Sequence, residues 1–219
     1  MSNFPEINFK ESLEELEEPK INDFELFVEC SGVQIHRKFL PESSLYEYKV
    51  LGELKSDVQT FVKVYMDLEY RKSWDSYVKE LYEKEDEHEG SFIYWNVNYP
   101  FPLANRDYTY IRECREMTEE TTNKTPTWVI LSESKQISSC PDKSGVVRVN
   151  DYKQNLSIQH KDENTTKLFM HYKDNPGGSI PTWLINWAAK KGVPSFLTEM
   201  KKASDGYPKY LEKKKKGKK

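Results

Sequence analysis

A long succession of strand-like segments, with helical patterns at its margins, is the feature that most constrains how this chain folds. Six β-prone segments follow one another between residues 78 and 174, and the turn "DNPGG" closes the series. Three further strand-like segments lie between residues 24 and 54. Because helices do not alternate regularly with these strands, the sheet is predicted to be antiparallel and the fold class α+β.

Helical spacing marks three other parts of the chain. The first part ends at Pro19, and its apolar side is predicted to consist of Phe4, Ile7, Leu13 and Leu16. The second follows a possible N-cap at Ser56 or Asp57, with apolar residues at Val58, Phe61, Val62 and Tyr65. The third is a long helix over residues 179–204, and Pro194 is predicted to bend it.

The length of 219 residues favours one principal domain. We divide the chain into an N-terminal helical segment (1–22) that packs on the domain, the domain itself (23–207), and a basic, disordered tail (208–219). The tail ends in "KKKKGKK", a sequence that could attract nucleic acid or anionic lipid but is more typical of a solvated end. No nucleic-acid partner is therefore predicted.

Several classes of protein are disfavoured by what the sequence lacks. Its three cysteines have no metal-ligand spacing, and no apolar run approaches the length of a signal peptide core or a membrane span. We therefore expect a soluble, cytoplasmic monomer. The sequence contains no nucleotide-binding glycine motif, no GxSxG and no HExxH, and its four histidines are scattered. No catalytic residue, metal or cofactor is predicted, and the protein is not expected to be an enzyme.

The segment "YWNVNYPFPLANRDYTYIRE" places many aromatic residues on two adjacent strands. Alternation puts Trp95, Val97 and Tyr99 on one face of the first strand. If Tyr99 pairs with Arg106 across the loop, Trp95 lies diagonal to Tyr108 on a shared face.

Two polar features interrupt otherwise apolar patterns. In "VVRVNDYKQNLSI", read as part of one strand, the inward residues are predicted to be Arg148, Tyr152, Gln154, Leu156 and Ile158. An inward glutamine needs a polar partner, because an unpaired buried amide costs about 1–3 kcal/mol. Arg71 and Asp75 are spaced for pairing along a helix. Either this pair is exposed and contributes little, or it is buried and its free guanidinium N–H groups bind an anion such as phosphate.

Five longer blocks of the sequence resemble the START lipid-transfer family over about residues 23–203. They are "LYEYKVLGEL", "DLEYRKSWDSYVKELYE", "YWNVNYPFPLANRDYTYIR", "SGVVRVNDYKQNLSI" and "DNPGGSIPTWLINWAAKKGVPSFLTEM". The resemblance implies a helix-grip fold, in which a curved antiparallel sheet wraps around a long C-terminal helix and encloses one lipid. It also implies a non-enzymatic carrier that binds one phosphatidylcholine molecule.

The same resemblance assigns roles to seven residues. It places choline against Trp95, Tyr108 and Tyr152, and phosphate against Tyr65, Arg71 and Gln154, with Asp75 holding the arginine. A quaternary ammonium group has no N–H to donate, so aromatic faces are its natural receptor.

An enclosed lipid requires a part of the protein that opens, and the C-terminal helix is the predicted lid and membrane-contact element. The residues assigned to it are Trp183, Trp187, Val193, Pro194, Phe196, Leu197 and Met200.

Two other functions remain open at the level of sequence. One is a lipid-sensing interaction module that regulates a protein partner according to its bound phospholipid. The other is a START-like enzyme that acts on an enclosed apolar substrate, although no poised acid–base cluster supports it.

Overall fold

Ten strands form one curved sheet in the computed structural model, which describes residues 2–178 and 180–217. The strands are β1 (Glu25–Cys30), β2 (Val33–Leu40), β3 (Leu45–Leu54), β4 (Val78–Asp86), β5 (Gly90–Val97), β6 (Asn105–Glu116), β7 (Thr127–Ser134), β8 (Val146–Val149), β9 (Tyr152–Asp162) and β10 (Thr165–Asp174). The helices are α1 (Glu6–Glu17), α2 (Val58–Met66), α3 (Leu68–Trp74), α4 (Thr182–Trp187) and α5 (Val193–Lys216), with a π-helix at Ala188–Gly192 and a 3-10 turn at Thr118–Glu120.

The strand order is β1-β2-β3-β10-β9-β7-β6-β5-β4, and all these neighbours are antiparallel, as predicted. The exception is β8, which pairs in parallel with β6. The prediction of one continuous strand across β8 and β9 is wrong, because the chain leaves the strand conformation at Asn150 and Asp151. The last pair between β7 and β6 is Ser134 with Tyr110. Beyond it, β8 pairs with the first residues of β6, Asn105 to Tyr108.

The inner face of the sheet packs against α2, α3 and α5 around an apolar core. Phe61 from α2 and Leu197, Met200 and Ala203 from α5 are buried there against strand residues such as Leu156. Of the two predicted N-cap candidates, Ser56 and Asp57, it is Asp57 that caps α2: its carboxylate accepts a hydrogen bond of 3.0 Å from the Thr60 N–H. Non-polar burial of this kind, at about 25 cal/mol per Å², holds the C-terminal helix to the sheet.

The outer face of the sheet is covered by α1. Phe9, Leu13 and Leu16 pack there against strand residues, and the Ser12 and Ser157 hydroxyls are 2.8 Å apart. The predicted apolar side of this helix is wrong at one position, since Ile7 is 56% exposed whereas Phe9 is fully buried. The spacing of Phe9, Leu13 and Leu16 fits a helical stripe better than one that includes Ile7.

The C-terminal helical region is longer and less regular than predicted. A π-helix precedes Pro194, which lies in the first turn of α5. Because proline has no N–H to continue an α-helical ladder, a wider turn at this point is physically expected. The predicted disordered tail (208–219) is wrong for residues 208–216, which continue α5, while 218–219 lie outside the described residues. Tyr207 and Tyr210 pack on Tyr70 of α3, with ring centroids 5.0 and 4.4 Å away, and so fasten this part of α5 to the domain.

The turn between β1 and β2 approaches the backbone of β3 closely. A Cβ atom at Gly52, where φ is +150°, would lie 2.2 Å from the carbonyl oxygen of Gly32. Glycine is therefore required at position 52. No helix among the described residues is both long and apolar enough to cross a bilayer.

Candidate functional site

An aromatic cluster occupies the inner face of the sheet where β5, β6 and β9 come together. Trp95 stacks on Tyr108 with ring centroids 5.2 Å apart, and Tyr108 meets Tyr152 edge to face at 5.4 Å. Tyr108 and Tyr152 are buried. The structure therefore brings together the three residues predicted to surround choline.

The pairing of β5 with β6 differs from the predicted register. Trp95 lies directly opposite Tyr108, and Val97 lies opposite Arg106, so Trp95 is not diagonal to Tyr108. The register is shifted by two residues relative to the prediction. Since side chains alternate with a period of two, this shift leaves Trp95 and Tyr108 on the same face.

A carboxylate that sequence reasoning did not single out completes this cluster. Asp174, at the end of β10, accepts hydrogen bonds of 2.9 Å from the Tyr108 hydroxyl and 2.8 Å from the Tyr172 hydroxyl. Burial raises the pKa of Asp174, and the two hydroxyl hydrogen bonds oppose that shift. Burial also raises the pKa values of Tyr108, Tyr152 and Tyr172 well above their usual value, so these phenols are neutral.

The Arg71–Asp75 pair is buried, with side chains 10% and 1% exposed. The Arg71 Nε donates a hydrogen bond of 2.8 Å to the Asp75 carboxylate, which also accepts one of 3.0 Å from the Tyr77 N–H. Burial would lower the pKa of Arg71, but the adjacent carboxylate outweighs it and the pKa is raised. Within residues 2–178 and 180–217, neither Nη nitrogen of Arg71 donates a hydrogen bond, so these donors are open to an anion.

Arg71 also connects this polar pair to the aromatic cluster. Its Cζ lies 4.8 Å from the ring centroid of Trp95 and 5.9 Å from that of Phe196 on α5. The indole N–H groups of Trp95 and of Trp74, the latter three residues after Arg71 on α3, are buried and find no acceptor among the described residues. The guanidinium group of Arg71 and the Trp95 ring thus lie side by side, and both carry unpaired donors.

Gln154 has the polar partner that its inward position requires. Its amide donates a hydrogen bond to the hydroxyl of Tyr65. Tyr65 lies in the last turn of α2, which is held close to β6 because Arg112 donates to the backbone carbonyls of Tyr65 and Met66 at 3.4 and 3.1 Å. A cation at these carbonyls also complements the dipole of the helix C-terminus. Arg112 was not identified from sequence.

Arg148 lies on the opposite face of the sheet from Tyr152, contrary to the prediction. Its guanidinium pairs with Asp107 at 2.8 Å and donates to the Cys140 carbonyl at 3.1 Å. Asp107 alternates with Tyr108 along β6 and therefore points to the outer face. The break between β8 and β9 removes the simple alternation on which the prediction for Arg148 depended.

The predicted lid residues differ in their contacts. Leu197 and Met200 are buried in the inner core and Phe196 packs on Trp74 at 5.9 Å, whereas Trp183 is 43% exposed. Trp187 meets Tyr77 edge to face at 5.8 Å, and Val193 packs at the margin of the core. A half-open groove of about 310 Å³ lies between α5, α2 and the loop that follows β3, lined in part by Leu54, Phe61, Leu197, Met200, Lys201 and Lys202.

Comparison with protein families identifies the group to which this architecture belongs. The sequence pattern of the START domain matches residues 31–209, most of the chain. The chain belongs to the START domain family.

Known START proteins resemble the chain in both sequence and structure. It is 48% identical to mouse phosphatidylcholine transfer protein over 94% of this chain and 96% of that protein. It is 30% identical to human StAR-related lipid transfer protein 7, mitochondrial, over 85% of this chain and 51% of that protein. The structure of human STARD10 superposes with a TM-score of 0.80 at 23% identity, covering 97% of this chain and 84% of that one. The predicted α+β helix-grip fold is confirmed.

Proposed function

We propose that this START protein binds one phosphatidylcholine molecule inside the sheet and carries it between membranes without changing it chemically. The observation that carries the proposal is a buried aromatic cluster beside an arginine with unpaired guanidinium N–H groups. Similarity to proteins named phosphatidylcholine transfer protein supports the choice of lipid.

The aromatic cluster suits the choline group. Trimethylammonium offers no hydrogen-bond donor, and its attraction to a desolvated aromatic face is worth about 2 kcal/mol or more. Trp95, Tyr108 and Tyr152 present differently tilted rings, with interplanar angles of 29° and 74° between successive pairs. We assign these three residues to choline.

The neighbouring polar groups suit the phosphate. Arg71 has its Nε fixed by Asp75, which leaves the two Nη groups for a phosphate oxygen. Gln154 and Tyr65 already share a hydrogen bond, so a ligand oxygen can join an existing pair. Because Arg71 lies over Trp95, one zwitterionic head group can engage both sets of residues.

The acyl chains supply most of the affinity in this proposal. Two chains of about 16 carbons represent on the order of 25 kcal/mol at roughly 0.8 kcal/mol per CH₂. The apolar interior against α5 is their natural location. The half-open groove of about 310 Å³ beside α5 is at the lower end of the range for much smaller, drug-sized ligands, and none of the proposed head-group residues lines it. We infer that the core must open at the beginning of the C-terminal helical region to admit a two-chain lipid.

The start of the C-terminal helical region is the part that we propose moves. The tyrosine cluster around Tyr70 fastens the later part of α5, whereas the π-helix at Ala188–Gly192 interrupts its beginning. Trp183 is exposed there together with Lys190 and Lys191. An aromatic residue and lysines on one short segment suit transient contact with a phospholipid surface.

The test is lipid capture and transfer by the full chain. Purified protein is incubated with vesicles that contain equal amounts of phosphatidylcholine, phosphatidylethanolamine and phosphatidylserine, and its bound lipid is identified by native mass spectrometry. We expect one phosphatidylcholine per chain, of unchanged mass, and faster movement of labelled phosphatidylcholine between donor and acceptor vesicles. Capture without selectivity, or a lipid of altered mass, would contradict the proposal.

A further inference from the structure

Asp174 is the acidic residue of the aromatic cluster, and the sheet fixes its position there. Its Cα pairs with that of Tyr152 across β9 and β10, and the next inward pair is Tyr172 with Gln154. Residues directly opposite each other in an antiparallel pair project to the same face. The Asp174 side chain therefore lies on the face that carries the proposed choline and phosphate residues.

The hydrogen bonds of Asp174 connect its charge to the aromatic rings. The Tyr108 and Tyr172 hydroxyls both donate to one of its carboxylate oxygens, at 2.9 and 2.8 Å. Such donors favour the charged carboxylate. A phenol that donates to a carboxylate gains electron density on its ring, which strengthens the attraction of that ring for a cation.

The charged groups around Asp174 leave its negative charge only partly compensated. Arg106 is near enough to lower its pKa, and Asp151 raises it. Arg106, however, donates its N–H groups to the backbone carbonyls of Ala104, Pro176 and Gly177, at 2.6, 2.9 and 3.2 Å. Asp174 takes part in none of the ion pairs found among residues 2–178 and 180–217. The Arg71–Asp75 pair, by contrast, is internally neutral.

We propose that Asp174 determines head-group specificity: its negative charge, at the hydroxyl edge of the Tyr108 ring, selects a cationic group over a neutral group of the same shape. This inference rests on the proposed function, and it adds a charge requirement that the aromatic rings alone do not impose. Opposite unit charges about 7 Å apart, at an effective dielectric constant of about 20, change an equilibrium constant by about 50-fold. Partial compensation by Arg106 reduces the expected effect to about tenfold.

The experiment compares phosphatidylcholine with its uncharged isostere, a phospholipid whose head group is 3,3-dimethylbutanol and therefore has carbon in place of the choline nitrogen. Vesicles containing both lipids in equal amounts are incubated with the full chain, and the ratio of the two bound lipids is read by native mass spectrometry. Asp174→Asn should lower this ratio about tenfold relative to the parent protein. Asp151→Asn, which removes an exposed carboxylate near the same end of the sheet, should leave the ratio within about twofold.

The outcomes separate a charge effect from a structural one. If Asp174 serves only to position Tyr108 and Tyr172, its replacement lowers binding of both lipids equally and the ratio stays constant, which overturns the inference. Asp174→Ser provides a second neutral variant should the amide prevent folding. A ratio near one for the parent protein overturns the inference without any variant. Failure of the parent protein to bind either lipid instead contradicts the proposed function.

Discussion

The buried Arg71–Asp75 pair yields the sharpest prediction for stability. Asp75→Asn removes the counter-charge of a guanidinium that is 90% enclosed, since the Arg71 side chain is 10% exposed. Breaking a buried pair by removing one partner costs about 3–5 kcal/mol, because the other charge is left uncompensated. For a domain of this size, that corresponds to a fall in Tm of roughly 6–20 °C.

A double-mutant cycle separates the pair from its surroundings. Arg71→Met, Asp75→Asn and the double variant are unfolded in urea, with fluorescence of the five tryptophans as the signal. We expect the double variant to be more stable than the sum of the single effects predicts, by about 2–3 kcal/mol. Lys201–Asp205 is a matched control with the same spacing, and its side chains are 43% and 61% exposed. Asp205→Asn should cost less than about 0.5 kcal/mol.

Additive effects at Arg71 and Asp75, within about 0.5 kcal/mol, would refute this reasoning. Additivity would mean that removing one charge of the pair does not leave the other charge uncompensated. A second consequence follows if the pair does couple. Because an anion can replace the lost carboxylate, saturating phosphatidylcholine should stabilise Asp75→Asn more than it stabilises the parent protein.

Three further groups of variants test the site, the lid and the backbone. Trp95→Ala and Tyr152→Ala should each lower binding of phosphatidylcholine relative to phosphatidylethanolamine, by up to about 30-fold for a 2 kcal/mol contact. Arg71→Ala should instead weaken binding of both lipids. Native mass spectrometry with mixed vesicles measures the ratio of the bound lipids, and unchanged selectivity in all three variants would contradict the choline assignment. Pro194→Ala restores an N–H to the helix and should slow lipid exchange several-fold in a vesicle transfer assay; an unchanged rate argues against movement at this point. Gly52→Ala places a methyl group 2.2 Å from a carbonyl oxygen and should cost about 3 kcal/mol or more in urea unfolding, so normal stability would refute the close approach.

Sequence reasoning succeeded where short-range periodicity decides the outcome. Trp95 and Tyr108 share a face because strand alternation survives the two-residue difference in register. The burial of Arg71 and Asp75 was one of two open readings, and only tertiary packing against α5 and β5 settles it.

The errors occur where a distant segment determines the structure. Arg148 was assigned to the inner face because no local signal shows that β7 ends early and leaves room for β8 beside β6. Asp174 was overlooked because it reads as the first residue of a turn, although alternation from Tyr172 could have placed it inward. Residues 208–216 read as a solvated lysine-rich tail, whereas packing of Tyr207 and Tyr210 on Tyr70 extends the helix.

The open strand order has a consequence for the proposed contact with membranes. A sheet that does not close has two unpaired edges, here β1 and β4, and exposed edges invite pairing with another chain. Along β4 the exposed side chains are charged, at Lys79, Glu80, Glu83, Lys84 and Glu85. The strand β1 is short and carries a register shift between Leu26 and Val28. The charges along β4 and the irregular, short β1 both oppose pairing of the sheet edges of two molecules, so proteins crowded on one bilayer would stay separate.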